Sequence, residues 1–403
     1  VTWEESLSWL YSTQWTGIKL GLENTRRLLE AVGNPHHFLR CLHVAGTNGK
    51  GSTCAMMDSI LREAGYRTGL YTSPHLMDFR ERIRVDGEMI SKDAASKILE
   101  RLKSFTADWE NPPTFFELTT VLALQHFAQS GCDFVVLETG MGGRLDSTNA
   151  VTPIVSAITP IDMDHMEWLG DTIEKIAAEK AGIIKHGVPV VSSPQDSGAA
   201  LVLQQKAESM GSPIEFVNTP YCGQVALAGS HQRWNAALAI AAIRAAKISC
   251  EKKHIIEGLS NVSWPARFQR VGNRLIVDGA HNAHSAAALV STWREVFGDQ
   301  RASIVFGAMK DKEYSSMLDI FSSIAAKFHF VPVDNERAAD PADFAACTQT
   351  PSQVHPDLIS GVQAALAGSS LVLIAGSLFL AGEALDLLQK NASLVACDPY
   401  HIL

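Results

Sequence analysis

The sequence predicts an α/β protein with mostly parallel sheets, arranged as two domains. Three observations carry that prediction. Short apolar runs alternate with longer segments of helical spacing, polar clusters sit just after the apolar runs, and the alternation breaks once, near residues 260–272, before starting again. Open α/β sheets place their ligands just beyond the carboxyl ends of strands, so the polar clusters are the first places to look for chemistry.

The first run, residues 42–45 (LHVA), breaks into Gly46-Thr47-Asn48-Gly49-Lys50-Gly51. From Ser52 a segment follows with Met56, Met57, Ile60 and Leu61 at helical spacing. A strand, a glycine loop and a helix in that order make a phosphate cradle. Glycines let backbone N–H groups converge on an anion with no Cβ in the way. The helix N-terminus adds a partial positive charge and Lys50 a full one. Thr47, Ser52 and Thr53 supply hydroxyls. The common phosphate-loop pattern sets a glycine four residues ahead of its Gly-Lys pair and a Ser or Thr right after the lysine. Here Val44 and Gly51 hold those places, so a glycine-rich turn with a chance lysine is the competing reading.

The chain has 403 residues, 46% of them hydrophobic, enough for a large core and two or three domains. No apolar run approaches membrane-spanning length. The opening VTWEESLSWLYS carries acids in place of a basic n-region and an apolar h-region, so no secretory signal is expected. Lys plus Arg number 34 against 43 Asp plus Glu, a formal charge of −9, which lacks the basic excess of a nucleic-acid surface. An anionic small molecule can still bind, since a local cationic site fits in an acidic protein. The seven cysteines, at 41, 54, 132, 222, 250, 347 and 397, form no CxxC pair and read as reduced thiols in a cytosol, with no metal or catalytic role.

Taken in order, residues 1–40 read as amphipathic helix ending at a Gly-Asn-Pro stop. After the glycine loop and its helix, residues 67–71 (RTGLY) read as a strand running into Thr72-Ser73-Pro74-His75. Residues 79–90 turn at Asp86-Gly87 as a short strand or loop pair. A helix over 91–106 starts at a Ser-x-Asp cap, and another opens at Thr114-Phe115-Phe116-Glu117 and reaches about Ser130. Residues 132–137 and 154–159 are buried strands, 171–183 a helix, 188–192 a strand and 201–210 a helix. Ala-rich helical stretches at 234–246 and 253–259 lead to Trp264-Pro265-Ala266-Arg267. A second series then has strands at 274–277, 302–306, 328–333 and 370–375. The predicted domains are 1–264 and 273–403, joined by a linker over 265–272. No short-period repeat or low-complexity tract is evident.

Several residues are placed for chemistry, each with a blander alternative. Glu138 ends the apolar run CDFVVLE, well placed to hold Mg²⁺ beside a phosphate loop, though a solvated strand-end acid would look the same. Ser73 ends a strand, as an ordinary turn serine also would. His165, in IDMDH, is a ligand candidate or a structural hydrogen-bonder. Lys180, in AAEKAGIIK, reads locally as a solvated helix lysine paired with an acid. Asp278-Gly279-Ala280-His281-Asn282 follows the first strand of the second domain as a site or a polar turn. Ser377, after the last apolar run, suits a helix cap as well as a substrate contact. No kinase motif set is present, and no Walker-type B strand with its Asp. Together a phosphate cradle, metal-type ligands and a second domain suggest ATP-driven chemistry.

The chain resembles the folylpolyglutamate synthase/dihydrofolate synthase family of the Mur ligase superfamily. The resemblance rests on HVAGTNGKGST, TSPHL with FRERI, TFFE, LETGMGGRLDSTN, DHMEWLG with AEKAGIIK, GSHQRWNAALA, WPARFQ, DGAHN, FGAMKDKE and GSLFLAGE, in that order along nearly the whole length. It implies a phosphate-loop ATPase-like N-terminal domain followed by a smaller Rossmann-like domain that binds glutamate. It also implies an ATP-dependent amide ligase that adds L-glutamate to dihydropteroate or to the glutamyl tail of folates through an acyl phosphate. Residue by residue, Gly46, Thr47, Asn48, Gly49, Lys50, Gly51 and Ser52 match the ATP phosphate loop, with Lys50 catalytic. Ser73 and Glu138 match ligands of one Mg²⁺, and His165 a ligand of a second. Lys180 matches a lysine that reacts with CO₂ to form a carbamate, which turns a cation into a metal-binding anion and overrides the local reading. Asn235, Arg267 and Asp278 match ATP contacts. Thr114, Phe115, Phe116, Glu117, Leu145, Asp146 and Ser147 match pterin contacts, and His281 and Ser377 match positions tied to glutamate handling. Ala283 replaces a proline common after the His-Asn pair, which frees one φ. Gly51 between Lys50 and Ser52 sets the chain apart from wall-building Mur ligases, which have the hydroxyl one place earlier. The resemblance implies a cytoplasmic monomer working on small molecules, with no nucleic-acid or membrane partner. The competing functions are a wall-precursor ligase of the same superfamily and a nucleotide-gated binding protein without turnover.

Overall fold

Strands covered on both faces read as continuous apolar runs, and those runs become two parallel-rich sheets. The computed structural model describes residues 2–16 and 21–391; Cys397 lies outside them. By contacts the chain divides into two compact units. The first runs to Ala226 and takes in Gln232–Val262; the second takes in Leu227–His231 and resumes at Ser263.

The strands of the first unit are β1 (Cys41–Ala45), β2 (Thr68–Tyr71), β3 (Ile83–Val85), β4 (Glu88–Met89), β5 (Phe134–Glu138), β6 (Val155–Ile158), β7 (Val190–Ser192) and β8 (Ile214–Phe216). Their spatial order is β4-β3-β2-β5-β1-β6-β7-β8. All pairs are parallel except β2–β3 and β3–β4 at one edge. The edge hairpin turns where the sequence places Asp86-Gly87, and both residues have positive φ, as a tight hairpin turn requires. The chain winds outward from β1 in one direction and from β6 in the other, so the switch in strand order falls at β1. That is where ligands gather in open α/β sheets.

Side chains alternate across a strand, so one face of β1 offers Cys41 and the other Leu42 and Val44. The Cys41 face, with Tyr71, Val135 and Leu137, packs on Leu10, Leu28, Leu99, Leu122 and Phe127. These come from helices Trp3–Ser12, Glu23–Ala31, Lys92–Thr106 and Phe115–Gln129. Two of those helices start at caps legible in the sequence: Ser91 accepts from Ala94 N–H, and Thr114 forms a reciprocal capping box with Glu117. The helix Lys50–Glu63 meets Lys252–Asn261 so closely that a Cβ on Gly258 would lie 2.6 Å from Ile60 Cα. Ser59 Oγ donates to the Gly258 carbonyl across the same contact, at 2.7 Å.

The second unit contains β9 (Gln269–Val271), β10 (Leu275–Val277), β11 (Ala302–Phe306), β12 (Ala325–Phe330), β13 (Ser352–Val354) and β14 (Val372–Ala375), ordered β13-β12-β11-β14-β10-β9. Only β9 runs antiparallel, against β10. The stretch expected as a linker, 265–272, therefore contributes a strand: residues 269–277 form a hairpin through Gly272, whose φ is +64°. The proline ahead of it masks that strand in the sequence. The core is aromatic, with Trp293, Phe306, Phe321, Phe328, Phe330 and Phe344 fully buried.

Candidate active site

β1 lies between β5 and β6, and β2 lies on the far side of β5. The segments after these four strands therefore leave one edge of the sheet together, and every metal or phosphate residue expected before residue 166 is on one of them. Glycine is required at two points of the loop after β1. At Gly46 (φ +147°) a Cβ would fall 1.8 Å from Thr159 Oγ1, and at Gly49 (φ +87°) 2.6 Å from Asn235 Oδ1. Both contacts let the backbone, not side chains, line the loop. Thr47 ties this loop to the turn after β6: its hydroxyl donates to the Asp162 carbonyl and accepts the Asp162 N–H, both at 3.0 Å. That turn carries His165, which has φ +51° and a side chain 41% exposed, 3.7 Å from the Asp164 carboxylate.

Two lysines converge on one carbonyl. Lys50 Nζ donates to the carbonyls of Gly46 at 3.2 Å and Thr47 at 3.1 Å. Lys180 Nζ donates to Gly46 O at 2.8 Å. Lys180 is 4% exposed, so the solvated, acid-paired helix lysine of its local sequence is not what forms. Burial, and then the charge of Lys50, pull its ammonium down to about 7, against the opposing pull of Asp164 and Asp146. Glu138, also buried, accepts the Ser73 N–H at 3.1 Å, which joins the strand-end acid to the serine after β2.

These groups bear on a metal differently. The Glu138 carboxylate and Ser73 hydroxyl are hard oxygen donors of the kind Mg²⁺ takes. Lys180 as an ammonium does not fit a cation site; as a carbamate it would. Among the described residues no group of three or more His, Cys, Asp and Glu is arranged to hold a metal ion. Ligands beyond Glu138 would come from other donors, as the Ser73 and Lys180 expectations already require.

Asn235 stands over Gly49 and donates from Nδ2 to Gln232 Oε1 at 3.0 Å. Gln232 Nε2 in turn reaches Ser52 Oγ at 3.4 Å. Gln232 is a participant that sequence reasoning missed; its signal was its place one helical turn before Asn235.

The residues expected to touch a pterin divide by role. Thr114 N–H donates to Glu117 Oε2 at 2.7 Å and Glu117 N–H to Thr114 Oγ1 at 3.3 Å, so both close a helix end. Phe115 is buried in the core beside Tyr11 and Phe79. Phe116 is only partly buried and lies against Gly140, where a Cβ would come within 2.5 Å of its ring. Asp146 accepts from the N–H groups of Gly140, Met141 and Thr148 and from the Thr148 hydroxyl, which fixes the loop after β5. Ser147 is buried with it and Leu145 is half-buried. Phe116 and Leu145 are thus the members with surface to offer.

In the second unit the turn after β10 holds Arg267 in place. Asp278 accepts the Phe268 N–H at 2.7 Å and the Ala280 N–H at 2.8 Å. Burial raises its carboxyl and Arg267 lowers it. Ala266 and Phe268, on either side of Arg267, have positive φ (56° and 46°), an unfavourable conformation for both that these hydrogen bonds secure. Arg267 Nη1 comes within 2.7 Å of where a Gly279 Cβ would stand. His281 Nδ1 lies 2.9 Å from the Gly279 carbonyl, which can only accept, so the ring hydrogen is on Nδ1. Ser377 is 1% exposed and caps Leu378–Lys390 by accepting the Phe379 N–H at 3.1 Å.

Comparison with known proteins bears on the fold and the family. Residues 44–191 match the Mur ligase middle domain and residues 266–378 the Mur ligase glutamate ligase domain. The dihydrofolate synthase/folylpolyglutamate synthase of Bacillus subtilis is 36% identical, over 94% of this chain and 98% of that one. The structure of Escherichia coli FolC in complex with DHPP and ADP superposes with a TM-score of 0.88 at 28% identity, covering 96% of this chain and 98% of that chain. The bifunctional folylpolyglutamate synthase/dihydrofolate synthase of Yersinia pestis complexed with AMPPNP and Mn ion gives a TM-score of 0.87 at 28% identity, over 96% and 98% of the two chains. With its fold, its phosphate loop and full-length likeness in agreement, this chain belongs to the folylpolyglutamate synthase/dihydrofolate synthase family of Mur ligases.

Proposed function

We propose that this chain is an ATP-dependent ligase that joins L-glutamate to dihydropteroate, to the glutamyl tail of reduced folates, or to both. The observation that carries the reading is the meeting of Lys50 and Lys180 at the Gly46 carbonyl, on the strand edge that also carries Glu138 and Ser73.

A carboxylate is a poor electrophile at neutral pH. In the proposed reaction its oxygen attacks the γ-phosphorus of ATP, ADP leaves, and an acyl phosphate results. The amine of glutamate then attacks the acyl carbon, loses a proton, and phosphate departs. The loop of Gly46, Thr47, Asn48, Gly49, Gly51 and Ser52 would hold the phosphates. The Thr47 and Asn48 N–H groups donate to the Pro160 carbonyl and shape the loop, which leaves the N–H groups from Gly49 to Ser52 for the anion, with Lys50 neutralising charge on the transferring phosphoryl group. Asn235, Arg267 and Asp278 are the further ATP residues in this reading. Ser73 and Glu138 would hold a Mg²⁺, which when bound supplies charge neutralisation for the triphosphate. Lys180, whose lowered pKa leaves a share of it as the free amine near neutral pH, would add to CO₂ through that amine and release a proton; the resulting carbamate, with His165, would serve a second metal. Phe116 and Leu145 would face the pterin, and His281 would act on the glutamate side. Among the described residues no helix is long and apolar enough to cross a membrane. The cytoplasmic state rests on the scattered thiols and the family resemblance, and the monomeric state on the resemblance alone.

The test is mass measurement of products from dihydropteroate and from tetrahydrofolate, each with ATP, Mg²⁺ and L-glutamate. A gain of one glutamyl residue on at least one acceptor is expected. Replacing Lys50 with Ala should lower turnover about 100-fold or more. Glutamate-dependent phosphate release that survives Lys50→Ala would remove the central step.

A further inference from the structure

The FRERI segment carries part of the family likeness, yet the chemistry above leaves it unused. Its Arg82 is 8% exposed and forms no ion pair among the described residues. Of the acids that act on its charge, Glu138 forms no ion pair with it and accepts the Ser73 N–H, and the neighbours in sequence are committed elsewhere. Glu81 accepts the N–H groups of Leu76, Met77 and Asp78, and Asp78 grips Arg80 with both oxygens. Arg82 donates from Nε to His75 Nδ1 at 2.7 Å, and its two terminal nitrogens have no hydrogen-bond partner among the described residues.

The guanidinium is nonetheless held in one orientation. Because His75 Nδ1 accepts, its ring hydrogen is on Nε2, which faces Tyr11 Oη at 3.3 Å. Tyr11 stacks on Phe115 with ring centroids 5.6 Å apart and planes 7° apart. Arg82 lies 5.2 Å from the centre of the same Phe115 ring. Its backbone carbonyl accepts the Thr72 N–H at 3.0 Å, which sets it beside the turn that begins at Ser73. A buried guanidinium without a carboxylate is costly, and its forked N–H edge matches a carboxylate in both spacing and charge.

We propose that Arg82, clamped by His75 and Phe115, binds the carboxylate of the acceptor substrate through its terminal nitrogens. This deepens the ligase reading above and rests on it.

The experiment uses the full chain with ATP, Mg²⁺ and L-glutamate. Product from dihydropteroate or tetrahydrofolate with the unaltered chain establishes the ligase reading; product from neither removes that reading and this one with it. Given turnover, Arg82→Gln should raise KM for the acceptor about 30-fold, the loss of a charged hydrogen-bonded pair, with KM for ATP and for L-glutamate moving less than about 3-fold. Arg82→Lys should recover part of the loss, since it keeps charge without the fork. Binding of pteroate and of its primary amide to the ADP-loaded protein gives a second readout. The unaltered chain should prefer the acid about 10-fold or more, and Arg82→Gln should show no preference. An acid preference unchanged in Arg82→Gln, or an ATP KM that rises with the acceptor KM, overturns the proposal. If Arg82→Gln does not fold, the acid-to-amide ratio in Arg82→Lys decides, and a ratio equal to that of the unaltered chain overturns it.

Discussion

In the first unit the loop after β1 is shaped by glycines against which other side chains already press. In the second, the turn after β10 is shaped by a carboxylate whose two oxygens each hold a backbone N–H. The first arrangement has no steric slack and gathers two lysines on one carbonyl. The second is satisfied in hydrogen bonds and carries its strain in two residues of positive φ. The contrast follows from the task. In the first loop only the Thr47 and Asn48 N–H groups are held by protein, both by the Pro160 carbonyl; the N–H groups at the helix start have to stay open for an anion, so that part is fixed by close packing. A turn that must aim one arginine can be fixed by hydrogen bonds. The second turn has one tight glycine too, Gly279, where a Cβ would lie 2.3 Å from Leu378 Cδ2, so added atoms should damage both turns and the β1 loop most, while removed hydrogen bonds should act more mildly in the second.

Gly46→Ala should have the largest effect. Its Cβ would overlap Thr159 Oγ1 and come within 2.9 Å of the Thr159 carbonyl, which cannot rotate away. Nucleotide binding, read by calorimetry, should fall below detection, and stability should drop by about 1–3 kcal/mol. A variant that binds ATP normally would show that the loop is pliant and would break the contrast between the units.

Lys180 sharpens the contrast from the side of charge. Its pKa near 7 is below the ordinary lysine value of 10.5, so the unfolded chain binds more protons than the folded one between those values. Stability linked to this residue therefore rises as pH climbs from about 7 towards 10.5, and the cost of burying it is fully present below about 7. Lys180→Met should raise the melting temperature in CO₂-free buffer, most at pH near 6 and least near 10, while glutamate ligation falls about 100-fold or more. A melting temperature lowered at every pH would mean that the hydrogen bond to Gly46 outweighs the burial of charge.

The legible parts of the molecule are those where backbone demands are written in residue type. The strand, glycine loop and helix at 41–63, the caps at Ser91 and Thr114, and the Asp86-Gly87 hairpin all form where such residues stand. The strands β8 and β13 were not legible, because their residues are partly or fully exposed and make no apolar run. The carboxylate of Asp146 was visible as a candidate, but not the backbone N–H groups that occupy it. The clamp on Arg82 was out of reach for another reason. His75 and Tyr11 are 64 positions apart, and nothing local in either segment announces the other.

Ser377 should give the smallest effect and tests the milder side of the contrast. Its side chain is buried and accepts the Phe379 N–H, so the geometry describes a helix cap. Ser377→Ala should cost about 1 kcal/mol, the usual price of a lost cap. Ser377→Asn, which can cap equally well, should restore most of it. If capping is its whole role, KM for L-glutamate stays within about 3-fold of the unaltered chain in the Asn variant. If the hydroxyl also touches glutamate, as the family resemblance implies, stability and KM separate. The Asn variant then melts normally but binds glutamate about 10-fold more weakly, the loss of a hydrogen bond to a charged group.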